Sequence, residues 1–296
     1  MSHVALVDGA TLAPTVFGET DSTSGIWKFK SPAGVTWGTN GVHLKFENSA
    51  ALGTDSSGQS NTYTVNGNLK QALDTPSNVH ATFNPLIKNS NITFSEGSNT
   101  VVASDANYRV ALGSLGANSG KWYAEFKAVS GFSSADKGVG IFKMSQAYSE
   151  TTGLGNFSGG YTWQYASNGN VRTNNATSDT EASYTDGDVI GIAMDLDNNK
   201  LYWHKNGTYI NSGVPTSGST GTGAYAISNS DNEFYTFAAT VISSGGANKW
   251  SANFGNGFFG TTAISSAGSN GNGSLFEYDC PTGYYALNTK NINTYG

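Results

Sequence analysis

The chain has 296 residues, of which 37% are hydrophobic, enough for one large core or two modest ones. Only 12% are charged, the net charge is -6 and no basic run occurs, which excludes nucleic acid as an expected partner; no apolar run is long enough to cross a bilayer, so no membrane insertion is expected. One cysteine, Cys280, excludes an internal disulfide framework and a thiolate-rich metal site, and reads as a small buried apolar residue.

The 38 glycines supply turns, and the 15 Phe, 15 Tyr and 6 Trp supply strands. No segment sustains a helical period with good helix formers, so an all-β protein of many short strands is expected, with no helix. His3-Val4-Ala5-Leu6-Val7-Asp8-Gly9 is a short strand and turn that lacks the charged start and apolar core of a secretory signal. As an edge strand it needs a partner from later in the chain or from another subunit. Residues 14–19 read as a turn or brief helical piece, and residues 21–29 continue the module. In residues 39–46 alternation places Val42, Leu44 and Phe46 on one face, His43 and Lys45 on the other. Residues 55–61 are a polar loop before Tyr63-Thr64-Val65. The prolines of Asp74-Thr75-Pro76-Ser77-Asn78 and Thr82-Phe83-Asn84-Pro85-Leu86 mark a connection and not strand interior. A β-rich N-terminal linker or attachment module is therefore expected over residues 1–86, and a second module over 87–296.

The second module opens with short strands at 92–94 and 100–102, then longer ones at 108–112 and 122–129. In the last, Trp122, Ala124, Phe126 and Ala128 oppose Tyr123, Glu125 and Lys127. A strand at 139–144 follows. Tyr161-Thr162-Trp163-Gln164-Tyr165 puts its aromatics on one face, and Val171-Arg172 comes after a turn at 167–170. In residues 185–210 the pattern is sharpest. Ile190, Ile192, Met194 and Leu196 form one large apolar face, against Val189, Gly191, Ala193 and Asp195, a small face covered by close packing or by water. A polar turn at 197–200 leads to Leu201-Tyr202-Trp203-His204-Lys205. Asn206-Gly207 then supplies the positive φ of a type I′ hairpin turn into Thr208-Tyr209-Ile210. Strands at 234–242 and 248–254 close the pattern, while the Gly/Ser/Thr-rich stretches 212–223 and 261–273 read as exposed loops.

These residues carry a resemblance. The run Asp186-Gly187-Asp188-Val189-Ile190-Gly191 through Asn206-Gly207, with Lys121-Trp122-Tyr123-Ala124-Glu125-Phe126, Val139-Gly140-Ile141 and Asn253-Phe254-Gly255 in order, resembles the SPRY domain. The resemblance implies a concanavalin-type β-sandwich that recognises partners through loops at one end, here residues 130–137, 148–160 and 212–223. Residues 3–19 resemble the closing strand of laminin-G-like domains, so the chain is expected to be cut from a longer protein or to begin just past such a domain. Residues 4–86 and Pro281-Thr282-Gly283-Tyr284-Tyr285-Ala286-Leu287-Asn288-Thr289 resemble virion proteins of tailed phages, especially marine ones.

No constellation for nucleophilic catalysis stands out, and no catalytic residue is assigned. His3, His43, His80 and His204 are far apart in sequence; His204 reads as a strand residue facing solvent or bonded to a neighbour. Asp195-Leu196-Asp197-Asn198-Asn199 starts like a calcium loop, but Lys200 and Asn206 stand where Gly and Glu are required, so no metal or cofactor is expected. Asp186, Asp188, Asp195, Glu125, Glu181 and Glu233 could serve a glycan depolymerase, although each also has a turn or strand role. The candidate ligand surface is Tyr161, Trp163 and Tyr165, whose faces could stack on sugar, with Arg172 nearby; the alternative is that this face is sandwich core. The expectation is a non-enzymatic structural protein of a phage virion, a tail-fibre or receptor-binding component that contacts other virion proteins and a host surface glycan or protein. A homo-oligomer, trimeric by analogy with fibres, is expected. A capsid decoration or capsid-fibre protein and a glycan depolymerase are the alternatives.

Overall fold

The computed structural model describes residues 3–296 apart from 23, 24, 26, 68, 70, 72, 76, 77, 88, 89, 133–135, 160 and 229–231. Of the segments read above, Thr23, Ser24, Ile26, Pro76, Ser77, residues 133–135 and Gly160 lie outside the described residues. The chain divides into two compact units, Met1–Val79 and His80–Gly296. Residues 81 and 83, read above as part of the first module, are fully buried in the core of the second unit.

In the first unit β1 (Val4–Leu6), β2 (Gly18–Thr20), β3 (Trp27–Phe29) and β4 (Val42–Leu44) form two antiparallel pairs. The N-terminal strand finds its partner later in its own chain, β1 against β4 with Ala5 opposite His43. Pro14 opens a single 3-10 turn, Pro14–Val16, where its fixed φ suits the first position. Strand β4 stops at Leu44. Phe46 adopts φ +55° and leaves the face on which alternation placed it with Val42. The polar loop is organised by Asp55, which accepts hydrogen bonds from the backbone N–H of His43, Ser57 and Asn61, each at 2.9 Å, and from the Ser57 hydroxyl at 2.8 Å. Burial opposes its charge, yet these donors prevail and hold the carboxyl at about 2. His3 stacks on Phe29 with centroids 3.5 Å apart and His43 on Trp37 at 5.3 Å, so two histidines distant in sequence lie 5.6 Å from each other.

The second unit is an all-β sandwich. Its strands are β5 (Ile92–Ser95), β6 (Thr100–Ala103), β7 (Arg109–Leu112), β8 (Lys121–Ser130), β9 (Gly138–Lys143), β10 (Thr162–Ala166), β11 (Asn170–Thr173), β12 (Ala176–Thr180), β13 (Val189–Asp195), β14 (Lys200–Lys205), β15 (Thr208–Tyr209), β16 (Tyr225–Ala226), β17 (Tyr235–Val241), β18 (Lys249–Asn253), β19 (Phe258–Phe259), β20 (Thr262–Ala263) and β21 (Tyr285–Ala286). One sheet runs β15-β14-β13-β8-β18-β6-β5, with β16 on β14 and β21 on β8; the other runs β12-β11-β10-β9-β17-β7. The hairpin forms as its residues dictate: Asn206 and Gly207 take φ +49° and +84°, and Ile192 sits opposite Trp203.

The core lies between these sheets. Trp122, Phe126, Ile190, Ile192, Met194, Trp203 and Trp250 face Val139, Ile141, Tyr165, Phe237 and Val241. Each such side chain contributes roughly 1.5–3 kcal/mol by leaving water. Two indoles also cross the layer, Trp203 Nε1 donating to the Val139 carbonyl at 3.2 Å and Trp250 Nε1 to that of Thr240 at 3.1 Å.

Both outer faces are covered as well. On the second sheet Val110, Leu112, Phe142 and Ala238 pack against Leu154 and Phe157 of the β9–β10 loop. On the first, Tyr123, Ala193 and Tyr202 pack against Phe276, Cys280 and Tyr284. The small face of β13 is therefore small because the C-terminal segment packs over it. That segment then enters the sheet as β21, Tyr285 beside Trp122 in parallel register. It ends in a helix, α1 (Thr289–Tyr295), which the sequence pattern did not reveal. Its seven residues make only about two turns, too few to show a 3.6-residue period. The Asn288 side chain caps it by accepting the Asn291 N–H at 2.8 Å, and Tyr295 stacks on Tyr285 at 3.7 Å.

Candidate functional site

The four residues read as a ligand surface do not share one. Trp163 and Tyr165 face inward and belong to the core, at 7% and 0% exposure. Trp163 packs on Tyr225, with centroids 5.8 Å apart, and the Tyr165 hydroxyl donates to the Ala182 carbonyl. Tyr161 is only half-buried and lies just before β10, its ring 4.5 Å from Lys143 Nζ. Arg172 pairs in register with Gln164, not with Trp163 or Tyr165, so it projects from the opposite face of the sheet. Period-2 alternation thus separates the guanidinium from the aromatics.

The three loops implied by the SPRY resemblance are likewise dispersed. The described residues of 148–160 fold back on the outer face of the second sheet, where Leu154 N–H donates to Thr240 Oγ1 at 3.0 Å and Phe157 meets Phe142 edge-on at 5.3 Å. Residues 212–223 lie by the outer face of the first sheet, Pro215 being buried with its carbonyl accepting the Tyr284 hydroxyl at 3.0 Å. The described residues of 130–137 sit at the end of the sandwich. There Lys137 is fully buried, and its ammonium donates to the carbonyls of Gly131 and Gly246, the latter at 2.9 Å. Desolvation lowers its pKa. This clasp ties the β8–β9 and β17–β18 loops together. Beside it Asp136 accepts hydrogen bonds from Arg172 Nη1 and Asn168 Nδ2, both at 2.6 Å, so Arg172 belongs to a polar cluster on this rim.

The acids considered for glycan cleavage mostly hold turns. Asp186 accepts the Phe132 N–H at 2.8 Å; Asp188 takes the Thr185 N–H at 2.9 Å and Asn206 Nδ2 at 2.7 Å. Asp195, fully buried, pairs with Lys121 at 3.0 Å and accepts the Asn198 N–H at 2.9 Å, which shapes the 195–200 turn. Among the described residues no group of His, Cys, Asp and Glu is placed to hold a metal.

Glu125 is different, and sequence reasoning missed its setting. It lies fully buried on the outer face of the first sheet, where alternation alone suggests a solvated strand face. Its oxygens accept from Tyr123 Oη at 3.0 Å, Asn253 Nδ2 at 3.3 Å, and the N–H groups of Glu277 and Tyr278, both at 2.8 Å. Burial pushes the carboxyl up to about 7 against those four donors. His204, also buried, completes the chain. Its Nδ1 accepts the Gly207 N–H at 3.1 Å, so Nε2 carries the proton and donates to Tyr123 Oη at 2.6 Å. Burial depresses its pKa to about 3. A trace of this network is visible in the sequence: Gly191 stands opposite His204, and a Cβ there would lie 1.9 Å from His204 Nε2.

The SPRY domain family model matches residues 121–256, and that segment is a SPRY domain. Strands β5 to β7, which complete both sheets, and the C-terminal layer lie outside it. The SPRY domain of human HERC1 is similar at a TM-score of 0.45 and 18% identity, covering 57% of this chain and 96% of that one. A human SPRY domain gives a TM-score of 0.42 at 16% identity, over 55% and 94%. Stonustoxin gives 0.43 at 15%, over 59% and 27%. No curated protein matches this chain in sequence.

Proposed function

We propose that this chain is a non-enzymatic phage virion protein, a tail-fibre or other receptor-contacting component, that recognises a host surface glycan or protein through the rim of its sandwich. The observation that carries the reading is the clasped rim: Lys137 holds two loops by their carbonyls, and Asp136, Arg172 and Asn168 form a polar cluster beside it. Rigid strands presenting such loops suit recognition, and the SPRY domain suggests an interaction module. The virion setting is supported by the likeness of residues 4–86 and 281–289 to tailed-phage proteins, and a homotrimer follows by analogy with fibres.

Binding of the fluorescently labelled protein to a panel of marine bacteria tests this reading. Saturable binding that drops at least about tenfold in an Asp136→Ala, Arg172→Ala double variant supports it. Unchanged binding removes the rim from the account. Release of reducing ends from host polysaccharide would make the protein a depolymerase, and immunogold label on the capsid lattice would make it a decoration protein.

A further inference from the structure

The outer face of the first sheet carries a cavity of about 530 Å³ between the Asn206-Gly207 hairpin and residues 266–279. That size is ordinary for a ligand site, roughly 300–1,000 Å³. One wall, residues 266–279, falls outside the segment matched to the SPRY family, so the cavity is a feature of this chain.

Its walls are preorganised. Glu125 grips the N–H groups of Glu277 and Tyr278, and Asn253 Nδ2 donates to the Leu275 carbonyl at 2.9 Å. Opposite, Asn206 is held to Asp188 at 2.7 Å. A lining fixed in advance loses little freedom on binding.

The lining selects the ligand. Tyr278 presents a half-buried ring, held against Gly207 and 5.3 Å from the His204 ring. The ring of Tyr209 also lines the space. Glu277 and Asp279 accept only from neutral donors, Ser265 at 2.7 Å and Ser269 at 2.6 Å, and neither meets a lysine or arginine among the described residues. The lining imidazole, His204, is kept neutral by burial and holds its bonds to Gly207 and Tyr123 in that form. The cavity thus joins an aromatic ring and uncompensated negative charge.

We propose that this cavity receives an arginine side chain of a protein partner. A planar guanidinium stacks on tyrosine and fits carboxylates with its forked donors, which an ammonium cannot do. A neutral sugar would leave the charge unanswered. The chain's net charge of -6 draws basic partners toward it. This inference does not depend on the rim.

The test is fluorescence anisotropy of the full chain with a labelled peptide carrying one arginine between glycines. Saturable binding is expected, displaced by free arginine amide. It should weaken at least about tenfold in a Glu277→Gln, Asp279→Asn double variant and fall in Tyr278→Leu, with Glu47→Gln as a charge control that leaves it unchanged. Thermal melts establish that each variant is folded, and shifts of the Gly207 and Gly268 amide resonances on adding arginine amide report the site without any substitution. Absence of binding, equal binding by folded variants, or displacement by chitotriose and not by arginine amide would overturn the proposal.

Discussion

Gly191 shows how one residue organises a face. It is extended and in register with His204, and any side chain would occupy the space of the imidazole. Gly191→Ala should displace His204, break its bond to Tyr123 and destabilise the second unit by roughly 1–3 kcal/mol, read as a lowered urea midpoint. The same network makes a pH prediction. Glu125, raised chiefly by burial from 4.5 to about 7, binds a proton when folded that the unfolded chain has shed, so its contribution to stability falls as pH rises through that window. His204, lowered by burial from 6.5 to about 3, acts oppositely, because the unfolded chain gains the proton and stability falls as pH drops. Each slope is about 1.4 kcal/mol per pH unit at most, and the two cancel where they overlap. Glu125→Gln should therefore lose stability on going from about pH 6.5 to about pH 5, whereas His204→Gln should gain it. Denaturant titrations at both pH values check the signs; equal slopes in the two variants would contradict the network.

Among the elements, hairpins and loops divide sharply by where their information lies. The β14–β15 turn is local: Asn206 and Gly207 take the backbone angles it requires, and Gly207 also lies under Tyr278, 2.8 Å from a would-be Cβ. Gly207→Ala should thus lose the roughly 1–2 kcal/mol of a side chain forced to positive φ plus roughly a further 1 kcal/mol or more from packing, measured against Gly187→Ala, whose site has positive φ but open space. In the first unit the loop at 55–61 hangs on one carboxylate. Asp55→Ala should free the donors of His43, Ser57 and Asn61 and speed amide exchange through the loop. The β10 aromatics and Arg172 show the limit of local reading. Alternation identified the shared face of Trp163 and Tyr165, but only pairing with β11 reveals that Arg172 lies on the other side.

For the molecule as a whole, the SPRY segment is not a complete folding unit. Both sheets borrow strands from residues 92–112, and the first sheet needs the C-terminal layer over Tyr123, Ala193 and Tyr202. Deleting residues 265–296 should expose that face and yield a dye-binding, aggregation-prone protein; a monodisperse product with an unchanged melting temperature would show that the layer is dispensable.

By itself the sequence determined the all-β class, the strand alternation, the Asn206-Gly207 turn and the SPRY segment, because each depends on neighbours a few residues apart. Only the tertiary structure decided which faces are covered. Glu125 is buried by backbone groups 152 and 153 residues further along the chain, and the N-terminal strand is paired by β4. Periodicity tells which side chains share a side; it carries no information about what distant segment will come to rest against it.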